Sequence, residues 1–169
     1  MQFSVGVEYA FHSLFYMITL PAGKTVGIRQ LAELHGITET YLSKVFAKLR
    51  KAGIVRSVPG VNGGYELARS AEAISFWDIT EAIEGSTFLF QCAEIRKKNI
   101  FVDDPAIFTE QCPCLIRVVF EEAETAFRKR LQERSLRWLH DQVSRDFTDE
   151  KKRAISRWVQ EGILPDSAP

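Results

Sequence analysis

The spacing of apolar positions changes from one stretch of the chain to the next, and each spacing predicts an element. From Phe3 to Leu20 apolar residues lie on most of the helical circumference, and Pro21-Ala22-Gly23 follows as a stop, so the run predicts a buried first helix. After Thr25-Val26, residues Ile28, Leu31, Ala32 and His35 recur at the i, i+3, i+4, i+7 spacing of one helical face, with Gly36 as a left-handed stop. Thr38 is a good N-cap for a third helix, and Glu39 suits its positive end. Along that helix Leu42, Val45, Phe46 and Leu49 fall on one side. Thr40, Lys44, Ala47 and Lys51 fall opposite, flanked by Ser43 and Lys48, so one face is core and the other small and basic. Gly53 closes the helix. Ile54 to Val58 then reads as a strand, Pro59 to Gly64 as a turn, and Tyr65 to Leu67 as the partner strand of a hairpin.

Further on, Ser75 with Asp78 three positions later forms a capping box, Phe76, Ile79 and Ile83 supply a buried stripe, and Gly85 ends a fourth helix. Residues 86–114 show no periodicity and hold all three cysteines. From Leu115 to about Glu133 a long helical pattern carries Ile116, Val119, Phe120, Ala123 and Phe127 on one stripe, widened by Leu115, Val118 and Ala126. A stripe that wide can face two surfaces. Two shorter helical patterns, Leu136 to Val143 and Asp149 to Gln160, precede a polar tail expected to fray. Four segments follow: 1–87 as a head, 88–114 as a cysteine-containing loop, 115–147 as a helical arm, and 148–169 as a C-terminal helix and tail. The fold class expected is mostly α with a small β-hairpin.

Composition refines this picture in two places. The 169 residues are 46% apolar and 26% charged, which excludes collagen-like, disordered and disulfide-scaffold chains and allows one core with an extension. The formal net charge of zero conceals an asymmetry: residues 1–70 carry eight basic and four acidic residues, and Thr40 to Tyr65 holds five basic residues and no acidic one. That is a local positive field within a neutral protein. The most apolar window, Ala10 to Leu20, is too short to span a bilayer and has the wrong flanks for a signal peptide, and an odd number of cysteines argues against an oxidised secreted fold. A cytoplasmic protein with no membrane partner is the expectation.

Helix, short helix, glycine-containing turn, helix with a basic outer face, then hairpin with a glycine-rich tip is the layout of a winged helix-turn-helix. A major groove about 12 Å wide admits one helix whose outer residues are small or contact phosphates and base edges, and Thr40, Ser43, Lys44, Lys48 and Lys51 suit that. The tip Gly60-Val61-Asn62-Gly63-Gly64 lets backbone approach DNA closely, with Tyr65 or Arg56 adding contacts. The runs FSVGVEYAFHSLFYMITL, IRQLAELHGITETYLSKVFAKLRKAGIVRSV and GVNGGYELAR closely resemble the IscR, NsrR and CymR family of winged-helix regulators, also called the Rrf-two family. The resemblance covers about residues 2–87, with Tyr41-Leu42-Ser43-Lys44-Val45 and Gly63-Gly64-Tyr65 as its specific motifs, and Leu115 to about Leu139 resembles the family's dimerisation helix. It implies a homodimeric transcription regulator, usually a repressor, binding a palindromic operator in double-stranded DNA. The stripe Ile116, Val119, Phe120, Ala123 and Phe127 would then be the dimer interface, and Tyr41, Asn62, Gly63 and Gly64 join the DNA-contacting set. In one departure, Pro59 stands where many members place an arginine before the wing glycine.

The cysteines depart as well. Cluster-binding members place three close together before the dimerisation helix, whereas here Cys92 is followed by Cys112 and Cys114 after nineteen intervening residues. Three readings stay open. An iron–sulfur cluster needs converging sulfurs, which a loop returning Cys92 to Cys112 and Cys114 would provide, but a fourth ligand is missing. A thiol switch needs an accessible thiolate, and Cys112-Pro113-Cys114 at a helix start is placed for a lowered pKa. The third reading is three reduced thiols with no sensing role. Zinc would require His35 or His140, which have no spacing relation to the pair. His12 is expected to pack on the first helix and His35 near the helix-turn-helix core. Phe11, Phe15 and Tyr16 are expected to be core in preference to a ligand pocket, and Glu121, Glu122 and Glu124 to form a solvated face. No catalytic constellation stands out, so an enzyme is not expected. The rival to a DNA reader is a redox or cluster-binding protein whose winged helix is a protein-interaction module.

Overall fold

The computed structural model describes residues 2–21, 23–60, 63–86 and 88–161. Its helices are α1 (Val5–Ile18), α2 (Ile28–His35), α3 (Glu39–Lys51), α4 (Phe76–Glu84), α5 (Leu115–Gln132), α6 (Leu136–Arg145) and α7 (Asp149–Glu161). Strands β1 (Val55–Val58) and β2 (Gly64–Leu67) pair antiparallel between α3 and α4, from Val55 opposite Leu67 to Val58 opposite Gly64. This is a winged helix-turn-helix head followed by a helical arm. Local signals fix the boundaries. The Thr38 hydroxyl accepts the Tyr41 amide at the start of α3, and the Ser75 hydroxyl accepts the Asp78 amide at the start of α4 while the Asp78 carboxylate accepts the Ser75 amide. Gly36 ends α2 at φ 64°, where a Cβ would be strained.

The core lies where α1 crosses α3, α4 and α6. Leu14, Leu31, Leu42, Phe46, Leu49, Ile54, Ile74 and Ile79 are wholly buried, each contributing about 1.5–3 kcal/mol of hydrophobic stabilisation. α1 is amphipathic and not buried all round. Its inner face is Val7, Ala10, Leu14 and Met17, whereas Glu8 and His12 are exposed, so the expectation that His12 packs inward is corrected. Its i,i+4 partner Glu8 holds it at 4.0 Å on the solvent side. Phe15 is buried, and Phe11 and Tyr16 pack against the core.

Two features lie beyond the elements expected. Val26 exchanges backbone hydrogen bonds with Tyr65 at 3.0 and 2.9 Å, adding a one-residue third strand to the wing. The chain after α5 also returns to the head: the Phe76 amide donates to the Arg134 carbonyl at 2.9 Å and the Leu136 amide to the Ile74 carbonyl at 2.8 Å. Leu136 is wholly buried, and Trp158 of α7 is buried edge-on against Tyr16. α6 and the far part of α7 therefore complete the head's core. The expected polar tail lies outside the described residues.

Candidate nucleic-acid interface and cysteine loop

The inner face of α3 is held by Leu42, Val45, Phe46 and Leu49, which forces Thr40, Ser43, Lys44, Ala47, Lys48 and Lys51 outward, and all six are exposed. Among the described residues Lys44 and Lys51 are in no ion pair, so their charges face solvent. Lys48 is engaged: its ammonium donates to the Ile83 carbonyl at 2.6 Å, neutralising the negative end of α4 and bracing α3 against it. Tyr41 turns toward α1 and meets Tyr9 edge-on at 5.7 Å. α3 thus presents a strip of short side chains edged by two free lysines.

The wing behaves differently. Arg56 is paired across the strands with Glu66 at 2.8 Å. Tyr65 lays its ring edge-on against buried Phe46 at 5.0 Å. A Cβ on Gly63 would sit 2.5 Å from the Val58 carbonyl oxygen, and one on Gly64 would sit 2.6 Å from that of Val26, so both glycines answer close backbone approaches inside the wing. Asn62 lies outside the described residues.

Residues 88–114 form an irregular loop with two short 3-10 turns, Ile95–Lys98 and Pro105–Ile107. Cys92 is half-buried, Cys112 exposed and Cys114 buried at 8% exposure. The Cys92 and Cys114 sulfurs and the Glu94 carboxylate lie within 4.8 Å of one another. Cys112 is not part of this group, so the loop returns Cys92 to one member of the later pair and not to both. Arg96 is the reason: its guanidinium binds Glu94 at 2.5 Å, donates to the Cys112 and Pro113 carbonyls at 3.2 and 3.3 Å, and lies over the Phe108 ring. That fixes the turn, leaving Cys112 outside and Cys114 as the residue before α5. Glu94 is the one non-glycine position among the described residues with a left-handed backbone, at φ 47°, a strained conformation held by this network.

The amide of Arg117 lowers the Cys114 thiol pKa below its ordinary value; burial opposes it, and the Ile116 amide, Cys92 and Arg96 reinforce it. The hydrogen bond from Arg96 holds the Glu94 carboxyl below the usual carboxylate range. Two thiols and a carboxylate suit iron in kind, yet a cluster takes four protein ligands, and the described residues bring three together.

The long helix has two unlike halves. Leu115, Ile116, Val119, Phe120 and Ala123 are exposed, with Phe120 stacked on Phe90 of the loop at 4.6 Å. Phe127 faces its own head, against Phe3 at 6.1 Å and Trp77 at 6.4 Å. Glu124 also departs from the solvated face expected of it: it accepts the Leu89 amide at 3.0 Å and pairs with Arg128, whose guanidinium lies over Trp77 at 4.7 Å. Sequence reasoning missed this clamp, because charges at helical spacing look alike whether they face water or a neighbouring ring. It also missed Glu94 and Arg96, for which a lone acid and base in an aperiodic stretch carry no signal.

His35, half-buried behind α1, contacts Ser13 at 3.1 Å, and burial followed by the nearby His12 pushes its pKa down to about 4. No helix among the described residues is long and apolar enough to cross a membrane.

Comparison with known proteins accords with this geometry. The chain is 28% identical to the HTH-type transcriptional regulator NsrR of Shouchella clausii over 133 residues, 79% of this chain and 84% of that one. Its structure is similar to that of T. potens IscR, with a TM-score of 0.62 at 25% identity over 88% of this chain and 93% of the other. It is also similar in fold to the oxidized form of Staphylococcus aureus CymR, with a TM-score of 0.59 at 23% identity, covering 88% and 99%. A family model described as "Rrf2: Iron-dependent Transcriptional regulator" matches residues 3–142, and on that match the chain belongs to the Rrf2 family of transcriptional regulators.

Proposed function

We propose that this regulator binds DNA sequence-specifically as a homodimer and represses transcription, with α3 as the recognition helix and the cysteine loop as the sensing element. The observation that carries the reading is the outer strip of α3: Thr40, Ser43, Lys44, Ala47 and Lys51 are all exposed, contain no acid, and are spared from packing by a continuous inner face. Lys44 and Lys51 supply phosphate contacts, and Thr40 and Ser43 are short enough to reach base edges directly or through water. Lys48 contributes field while bracing α4, and Arg56 contributes only if it leaves Glu66. The backbone at Gly63 and Gly64 is the wing's own contribution, together with Asn62 of the tip, while Tyr41 and Tyr65 set the positions of α3 and the wing from behind.

Dimerisation follows from the exposed half of α5. Leu115 is 75% and Val119 62% exposed on a helix that buries none of its residues, a contiguous apolar surface that a second copy would cover through a two-fold contact. Ile116, Phe120 and Ala123 share that surface, and Phe127 props the helix from the other side. In the loop Cys92 and Cys114, with Glu94 beside them, are the groups that would hold iron, three of the four ligands that a cluster takes. Bound there, an iron–sulfur group would supply a one-electron change of charge next to the start of α5.

The test is selection of bound sequences from a random duplex pool, followed by salt titration of the best duplex. Paired half-sites about 10–10.5 base pairs apart are expected, and Lys44→Ala or Lys51→Ala should weaken all sequences alike and reduce the salt slope by about 1. Absence of enrichment, with binding indifferent to both lysines, would overturn the reading and leave the winged helix as a protein-interaction module.

A further inference from the structure

Cys92 and Cys114 are adjacent although twenty-one residues separate them in the chain, and their Sγ atoms lie within 4.8 Å. Both line one open cavity of about 690 Å³, together with Phe90, Glu94, Arg96 and Ile116, large enough to admit a small oxidant. The third thiol, Cys112, is held outside by the hydrogen bond from Arg96 to its carbonyl. Closing two sulfurs to bonding distance, about 2.05 Å, requires a shift of the Cys92 side. Little packing opposes that shift: of residues 88–114 only Cys114 is buried, and Ile95, Ile100 and Phe101 are largely exposed.

We propose that Cys92 and Cys114 are an oxidation site of the metal-free chain, forming an intrachain disulfide in response to a hydroperoxide and excluding Cys112. Cys114 is the N-cap residue of α5, at the positive end of that helix, so its sulfur is the better placed of the two to open the reaction. It attacks the peroxide oxygen; the O–O bond breaks, the leaving alkoxide or hydroxide takes up a proton, and Cys114 becomes a sulfenic acid. Cys92 then attacks that sulfur, the S–O bond breaks, and water departs with the Cys92 proton. Two thiols and one hydroperoxide give one disulfide, one water and one alcohol or second water. The product ties the residue before α5 to the loop, and it uses the same thiols that would hold iron, so the two states exclude each other.

This inference concerns the sensing loop of the function proposed above, and its readout is independent of DNA. The full chain, reduced and stripped of metal by a chelator, is exposed to one equivalent of hydrogen peroxide, its remaining thiols are blocked with a maleimide, and its peptides are mapped by mass spectrometry. A peptide pair linked through Cys92 and Cys114, with Cys112 alkylated, is expected. Cys112→Ser should give the same linkage, and Cys92→Ser should leave a sulfenic acid on Cys114 that a dimedone probe captures. Linkage through Cys112, linkage between chains, or three alkylated cysteines after peroxide would overturn the proposal, whatever the protein does on DNA.

Discussion

The head and the arm both carry apolar stripes but use them differently. In the head, apolar side chains from α1, α3, α4 and α6 meet one another, and of the larger ones on these helices only Val5, Trp138 and Val143 are exposed among the described residues. In the loop and the first half of α5, Ile100, Phe101, Leu115, Ile116 and Val119 meet almost nothing within the chain. The head is thus a finished fold, and the arm is a surface lacking its complement. The join between them is specific: Trp77, Arg128, Glu124 and the Leu89 amide form one connected set of contacts.

The contrast predicts a graded series of mutational effects. Phe46→Ala should cost about 3–5 kcal/mol in urea denaturation, because a wholly buried ring leaves a cavity that the core cannot close. Should it cost less than Val119→Ala under the same conditions, the division into finished head and incomplete arm fails. Val119→Glu and Phe120→Glu should leave the circular dichroism of the head intact while sedimentation changes from dimer to monomer. An unchanged sedimentation coefficient would remove this face of α5 from the proposed dimer. Arg128→Ala removes the contact with Trp77 and the pair with Glu124, and about 1 kcal/mol of destabilisation is expected, read as faster hydrogen exchange at the Leu89 amide.

The smallest effect concerns pH. The folded pKa of His35, about 4, lies below its ordinary value of 6.5, so between those limits the unfolded chain binds more protons. His35 is therefore neutral and without cost above about pH 6.5, and stability falls as the pH drops toward 4. Allowing for the partial exposure of the ring to screening solvent, a loss of roughly 1 kcal/mol is expected. The thermal midpoint of His35→Gln should respond less to pH across this interval than that of the parent chain.

Much of the head was legible because its signals are local. Thr38, Ser75 with Asp78, and Gly36 act on their own neighbours, and the inner stripe of α3 is a periodicity that any partner would bury. What could not be read depends on distant partners. The apolar pattern of α6 says it will pack, but only the folded chain shows Leu136 under Ile74 and Trp158 against Tyr16. Likewise, Lys48 shares the outer side of α3 with Lys44, and its difference lies in the end of α4 coming within reach. In the loop, Glu94 became visible only when Cys92 and Cys114 were brought together. The same reasoning misjudged His12, since an apolar run with one histidine reads as buried unless the solvent side of the helix is known.

The two wing glycines carry a lesson for directed evolution. Since Gly63 and Gly64 are required by the carbonyls of Val58 and Val26, a library randomised at both codons and sorted only for yield of folded protein, with no operator present, should already return glycine at both. Glycine enrichment in such a library would therefore say nothing about promoter recognition, and a screen built on the proposed role of α3 gains more by diversifying Thr40, Ser43 and Ala47 while leaving the wing codons untouched.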